Sequence, residues 1–134
     1  MAASTQAMQK DDTLNPGMLW VKDGEALWQK PTGQSQKSCA SCHTPSSMKG
    51  VASRYPDFDD VLKRPITLSQ RINQCRQKHQ QTDPLRAESQ DLLSLESFVA
   101  HQSRGGPRNI DSIPRGDGRI CWRSFGRDDR HEPC

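Results

Sequence analysis

The sequence predicts a small all-α domain, with about three main helices arranged around a bound group. Two segments, near residues 67–75 and 89–102, carry helix caps followed by apolar residues at helical spacing, and a shorter segment lies near residues 23–28. Hydrophobic residues make up only 31% of the 134-residue chain, against about 45–50% in an average globular domain. A chain this polar needs disulfides, a metal or a bulky apolar cofactor to complete its core.

The first helix is predicted to begin near Asp23, a good N-cap residue, and to direct Leu27 and Trp28 towards the core. Residues 1–15 ahead of it are polar and are expected to form a flexible lead-in. Residues 50–66 contain a glycine and two prolines and are expected to be irregular. No convincing strand is predicted.

The second helix is predicted to begin at Thr67. Thr67 and the glutamine three residues later form the capping-box pattern, in which each side chain bonds to the backbone N–H of the other residue. Leu68, Ile72 and Cys75 then recur on one helical face. Cys75 is therefore expected to point inward with two apolar neighbours.

The third helix is predicted to begin at Asp83 or at Ser89 and to end near Gln102, before the Gly-Gly-Pro sequence at residues 105–107. Its apolar stripe comprises Leu92, Leu95, Phe98 and Val99. We expect the first and last helices to cross and to bury four side chains together, namely Leu27, Trp28, Leu95 and Phe98.

One domain is predicted, at residues 16–107, followed by a tail of different composition. Residues 108–134 are rich in Arg, Gly and Pro and show no periodicity, so an irregular tail is expected.

The net charge of +3 is too mild to indicate nucleic acid binding. No stretch approaches the roughly 18 apolar residues of a membrane span. Residues 1–6 are polar, so no secretory signal is expected in this chain.

The cysteines carry the clearest chemical signal. Cys39, Cys42 and His43 form the pattern C-x-x-C-H, the attachment sequence of c-type haem. Two cysteines at this spacing can each add to one porphyrin vinyl group, and the adjacent histidine is then held beneath the iron as its proximal ligand. One covalent haem would supply the apolar core that the composition lacks. The motif and the helices together indicate a small cytochrome c-like domain.

Two alternatives to haem remain open from the residues alone. A thioredoxin-like redox pair would need a βαβ unit, which the sequence does not predict. A zinc site would need a second ligand pair, which Cys75 and His79 could supply. The helical context favours haem over both.

The sixth ligand of the iron must come from elsewhere in the chain. The methionines are poorly placed, because Met48 follows His43 too closely and the others precede the motif. Cys75, His79 and His101 remain as candidates. Cys75 lies on the apolar face of the second helix, and His79 follows it by one turn. A free cysteine is also often simply a buried apolar residue.

Several short segments follow one another in a distinctive order along the chain. They are residues 15–20, residues 23–28, the attachment sequence at 38–43, residues 48–56, the Arg-Ile-Asn-Gln-Cys-Arg sequence at 71–76, and residues 92–104. Together they resemble SoxA, the larger cytochrome subunit of the thiosulfate-oxidising SoxAX complex. The resemblance covers roughly residues 8–107 and implies the N-terminal of two cytochrome c-like domains. It implies one covalent haem on Cys39 and Cys42, with His43 and Cys75 as the axial ligands.

The resemblance also implies a place in periplasmic thiosulfate oxidation. SoxA acts with a SoxX cytochrome and with the SoxYZ carrier protein, to whose cysteine thiosulfate is joined. This chain lacks the second C-x-x-C-H motif of the family, so electron transfer or structural support is the expected role of its haem. The alternative is an L-cysteine S-thiosulfotransferase with Cys121 or Cys134 as acceptor, since arginines lie beside both.

Overall fold

The described part of the protein, residues 2–106 of a computed structural model, consists of helices and one small hairpin. Its α-helices are α1 (Ala3–Lys10), α2 (Gly17–Gln29), α3 (Leu68–Cys75) and α4 (Gln90–His101). Two antiparallel strands, β1 (Asp57–Asp59) and β2 (Arg64–Ile66), form the hairpin. Short 3-10 turns occur at Cys39–Ser41, Pro45–Met48 and Ala52–Arg54, and a π-helical turn, Arg76–Gln80, continues α3. The predicted all-α fold class is confirmed.

Helices α2 and α4 cross at the centre of the core. Trp28, Leu95, Phe98 and Val99 are buried together, and Leu27 packs against them while remaining partly exposed. The rings of Trp28 and Phe98 lie with their centroids 5.3 Å apart. Full burial of a large apolar side chain contributes about 1.5–3 kcal/mol to stability. The expected crossing of the first and last helices is therefore confirmed.

Gly24 allows the two helices to approach this closely. A Cβ atom at this position would lie 2.0 Å from the backbone oxygen of Ser94 and 2.8 Å from the Cβ atom of Phe98. Ser94 is fully buried, so its backbone has no open space to move into. A residue with a side chain in place of Gly24 would force α2 and α4 apart.

The N-terminal part of the chain is more helical than the sequence suggests. Helix α2 begins at Gly17 rather than near Asp23, so that prediction is wrong. The side-chain oxygen of Asn15 accepts a hydrogen bond from the Gly17 N–H at 2.9 Å and satisfies one donor at this earlier start. The polar segment expected to be a lead-in forms α1, which has no buried residue and hence no apolar face to reveal it.

The β hairpin lies in a segment that was expected to be irregular. The buried carboxylate of Asp59 accepts hydrogen bonds from the backbone N–H groups of Val61 at 2.9 Å and Leu62 at 2.8 Å. These bonds fix the turn between the strands. Each strand has three residues, which is too short for an alternating pattern to show in the sequence.

Two predicted helix caps are confirmed. The Thr67 hydroxyl accepts from the backbone N–H of Gln70, and the Gln70 side chain accepts from the N–H of Thr67, so the capping box before α3 is complete. The hydroxyl of Ser89 caps α4, so this helix begins after Ser89 and not at Asp83.

The segment that follows α1 is attached to the C-terminal end of α4. The carboxylate of Asp12 contacts the guanidinium of Arg104 and lies 3.9 Å from the Nε2 atom of His101. Arg104 also donates to the backbone oxygen of Lys10 at 3.2 Å.

None of the helices in residues 2–106 is long and apolar enough to span a bilayer. The tail predicted at residues 108–134 lies outside the described residues.

We expect Gly24→Ala to destabilise the protein by about 1–3 kcal/mol, the usual cost of overpacking a core. Alanine is favoured over glycine in a helix by about 1 kcal/mol, so without the clash the substitution would stabilise α2. Chemical denaturation of the two proteins measures the difference. The exposed neighbour Glu25 is the control, and Glu25→Ala should change stability by less than about 0.5 kcal/mol. A Gly24→Ala protein at least as stable as the parent would contradict the close crossing.

Candidate functional site

The C-x-x-C-H segment forms a compact turn beside the helical core. Cys39 opens a 3-10 turn, and its backbone oxygen accepts from the N–H of His43 at 3.0 Å. Ser38 precedes the turn and donates its backbone N–H to the hydroxyl of Ser41 at 3.1 Å. Cys39 is half-buried and packs against the core, whereas Cys42 and His43 are exposed. The two thiols of the motif therefore have different surroundings.

Trp28 connects this segment to the crossing of α2 and α4. The centroid of its ring lies 6.3 Å from that of the His43 imidazole, with the two planes tilted by 46°. Trp28 also packs on Phe98 of α4. The predicted proximal ligand is therefore placed next to the most tightly packed part of the domain.

Cys75 is the last residue of α3 and is half-buried. Leu68 and Ile72, which share its helical face, pack against the core as predicted. Burial raises the pKa of the Cys75 thiol, Arg71 opposes the rise, and Cys42 adds to it. Burial also raises the pKa of the Cys39 thiol, with Cys75 contributing to the rise. Cys75 is therefore within electrostatic reach of both Cys39 and Cys42.

The π-helical turn after Cys75 determines which residue follows it on the inward face. Hydrogen bonds in a π-helix run from i to i+5, so the residue five positions on takes the place that the fourth would have in an α-helix. Gln80 is accordingly buried, with 5% of its surface exposed, and His79 is exposed. The alternative ligand His79 is predicted from α-helical spacing, which does not continue beyond Cys75. No signal in the sequence marks Gln80.

The other candidate ligands lie in different surroundings. His101 is at the end of α4, beside Asp12. Met48 packs against the helical core. Cys121 and Cys134, the candidate acceptor thiols, lie outside the described residues.

Neither alternative to haem gains support. Among residues 2–106, no group of three or more His, Cys, Asp or Glu side chains is placed to hold a metal ion. In the same part of the chain, the sheet is a single antiparallel hairpin and no βαβ unit is present. The described cysteines, Cys39, Cys42 and Cys75, are all free thiols.

Asp59 holds α3, and with it Cys75, against the hairpin. Its Oδ2 atom accepts from Nε2 of Gln74 at 3.2 Å and lies 3.5 Å from Nη1 of Arg71. The backbone N–H of Leu62, the Gln74 amide and other donors hold the pKa of the Asp59 carboxyl below its usual range, despite the opposing effect of burial. Sequence reasoning missed this residue, although an Asp two residues before a chain reversal is a familiar turn signal.

Several buried side-chain nitrogen and oxygen atoms have no hydrogen-bond partner within residues 2–106. They are Nε1 of Trp28, Oγ1 of Thr32, Nε of Arg76 and Oε1 of Gln80. Buried polar groups normally have hydrogen-bond partners, so atoms like these suit a bound group with polar substituents. Two thiols and an adjacent imidazole are the groups that attach and ligate haem c, and a thiolate is among the ligands that haem iron accepts. The residues present therefore fit this cofactor.

A core of packed helices beside a C-x-x-C-H turn is typical of a cytochrome c domain. Comparison with known proteins agrees with this class. The family model of the SoxA/TsdA cytochrome c domain matches residues 23–107. The chain belongs to this family, and the resemblance stated from the sequence is confirmed.

Individual relatives support the same family. The chain is 38% identical over 111 residues to the L-cysteine S-thiosulfotransferase subunit SoxA of Pseudaminobacter salicylatoxidans, and 32% identical over 108 residues to that of Rhodovulum sulfidophilum. These alignments cover 81% and 79% of this chain and 39% and 38% of the relatives. The crystal structure of SoxXA from P. pantotrophus matches with a TM-score of 0.73 and 29% identity, over 78% of this chain and 40% of that one. The chain thus matches about two fifths of the length of these relatives.

Because the folded-state pKa of Asp59 is lowered, its carboxylate stabilises the fold above the unfolded value of about 3.9. This contribution is lost as the pH falls through the folded-state pKa. We therefore expect Asp59→Asn to be less stable than the parent at pH 7, with the difference shrinking as the pH falls below about 4. Urea denaturation at several pH values measures this. The exposed neighbour is the control: Asp60→Asn should be close to the parent throughout. A pH-independent loss in Asp59→Asn would contradict the assignment.

Proposed function

We propose that this chain carries one haem c, attached by thioethers to Cys39 and Cys42, with His43 and Cys75 as the axial ligands of the iron. The observation that carries the proposal is the position of Cys75. It ends α3 and is half-buried, on the helical face whose Leu68 and Ile72 pack against the same core as Cys39. Membership of a cytochrome c family supports the cofactor.

A thiolate ligand would determine what this haem can do. The thiolate is anionic and a strong donor, so it favours ferric iron and a low reduction potential. A haem with a low potential is a poor acceptor of electrons from thiosulfate chemistry. We therefore propose that the haem stabilises the domain or exchanges electrons with low-potential partners.

We further propose that residues 16–107 act as the haem domain of a SoxA-like protein in the periplasm, where c-type haem is attached. A SoxX-like cytochrome is the expected partner, because the matched crystal structure is of SoxXA. A SoxYZ-like carrier and thiosulfate would complete the system. Residues 108–134 would be a tail without a part in haem binding.

A second candidate activity follows from the name of the relatives, L-cysteine S-thiosulfotransferase subunit SoxA. In this case Cys121 or Cys134 would receive or transfer the sulfur. Thiosulfate-dependent turnover by this chain alone would favour the enzyme. Turnover that needs another haem domain would favour the haem-binding role.

The haem assignment is tested by a pyridine haemochrome spectrum and an intact mass of protein made in cells that attach c-type haem. We expect one covalent haem per chain, and none in the double variant Cys39→Ala, Cys42→Ala. The double variant should also lose most of its helical circular dichroism, because the remaining side chains make a small core. A double variant with the helicity of the parent would mean that haem is not required for the core.

Cys75→Met tests the distal ligand, since it keeps a sulfur donor and removes the charge. We expect the covalent haem to remain and the midpoint potential to rise by a large part of the roughly 0.8 V that axial ligands can span. Cys75→Ala should open the coordination site, which the ferric absorption spectrum reports. Unchanged spectra and potentials in both variants would mean that Cys75 is only a buried side chain, and His79 would then be examined.

A further inference from the structure

Gln80 is a buried polar residue that nothing in the proposed haem ligation uses. Only 5% of its surface is exposed. Its Nε2 atom donates a long hydrogen bond to the Sγ atom of Cys39, at 3.8 Å. Its Oε1 atom is buried and has no partner within residues 2–106. Burying an amide whose oxygen has no hydrogen-bond partner is costly, which indicates a function for the group.

The backbone at Gln80, which carries this amide, is held in place by residues 33–35. The N–H of Ser35 donates to the backbone oxygen of Gln80 at 3.4 Å, and the N–H of Gln34 donates to that of Gln81 at 3.2 Å. Gly33 approaches so closely that a Cβ atom there would lie 2.0 Å from the Gln80 oxygen, and its φ of +71° also favours glycine. Residues 33–35, which make these contacts, lie only a few positions before Cys39. The backbone is therefore held both at Gln80 and close to Cys39.

The two cysteines of the C-x-x-C-H motif differ in burial and in their contact with Gln80. Cys39 is half-buried and bonded to Gln80, whereas Cys42 is exposed. A half-buried thiol must be directed towards its reaction partner, because its rotamer is fixed by its neighbours. An exposed thiol can rotate freely. Loss of the Gln80 amide should therefore affect Cys39 and not Cys42.

We propose that Gln80 is a positioning residue for thioether formation at Cys39, holding the sulfur of this cysteine in the orientation in which it reacts. This inference rests on the proposed covalent attachment of haem. In that reaction the Cys39 thiol adds across a vinyl group: a sulfur–carbon bond forms, the carbon–carbon π bond breaks, and the thiol hydrogen goes to the second vinyl carbon. The addition consumes no oxidant or reductant.

The test compares Gln80→Met with Gln77→Met, in the full chain expressed in cells that attach c-type haem. Methionine matches the length of glutamine but donates no hydrogen bond, and Gln77 is exposed on the same π-helical turn. Free thiols are alkylated in denatured protein and located by peptide mass mapping. The pyridine haemochrome band, which lies at longer wavelength when only one thioether has formed, gives a second measurement.

In Gln80→Met we expect a fraction of the haem to be bound through Cys42 alone, with free Cys39 in about fivefold excess over free Cys42, the factor that one net hydrogen bond corresponds to. Gln77→Met should match the parent. Two intact thioethers in Gln80→Met would overturn the inference. So would an equal loss at both cysteines, because a merely structural role would affect both.

If Gln80→Met yields too little protein, Gln80→Asn decides in the same way. Asparagine keeps the amide but withdraws it by one methylene group, so the ratio of free Cys39 to free Cys42 should again rise. A ratio equal to that of the parent would overturn the inference. Failure of the proposed function looks different, because the parent chain itself would then contain no covalent haem.

Discussion

Because no side chain separates α2 from α4 at Gly24, the two helix backbones meet there, and the rest of the domain is arranged around that meeting. The contact brings Trp28 of α2 against Phe98 of α4. Trp28 in turn lies beside His43. The position of the candidate proximal ligand thus depends on a contact between two helices that bear no ligand. Neighbouring residues of the attachment turn, Cys39 among them, pack against the same core.

The polar composition and the small buried core have the same physical meaning. Only six hydrophobic side chains in residues 2–106 are buried, which is little apolar burial to offset the conformational entropy of ordering the chain. A covalent haem would add a large rigid apolar surface without adding residues to be ordered. For such a domain, stabilisation and cofactor binding are one property. This is why a structural role for the haem is a physical alternative to electron transfer.

The sequence was informative where the signal is local and less so where it depends on tertiary contacts. The capping box at Thr67 is contained within four residues and was predicted correctly, and Ser89, one of the two predicted starts of the third helix, caps α4. The early start of α2 depends on Asn15, which competes with the better-known cap residue Asp23. The fold class was also predicted correctly, because it follows from the helical pattern and the C-x-x-C-H motif together.

The surroundings of the site show the limit of sequence reasoning most clearly. Cys75 could be placed on an inward face from its spacing to Leu68 and Ile72, because α3 is a regular helix up to that residue. One residue further on, the helix widens into a π-turn, and α-helical spacing then assigns the inward position to His79 when it belongs to Gln80. The end of this π-turn contacts the backbone of residues 33–35, which lie more than forty positions earlier in the chain. No local pattern encodes it.

The contact between Asp12 and Arg104 places the N-terminal and C-terminal ends of this domain side by side. A unit whose two ends are neighbours can be joined to other units through either end without stretching its core. It can also be transferred as a cassette between longer chains, or have its ends linked and new ends opened elsewhere. Relatives more than twice as long as the matched region contain such a unit as one part among others. The closeness of the two ends suits modular use of the domain, independent of the chemistry at its centre.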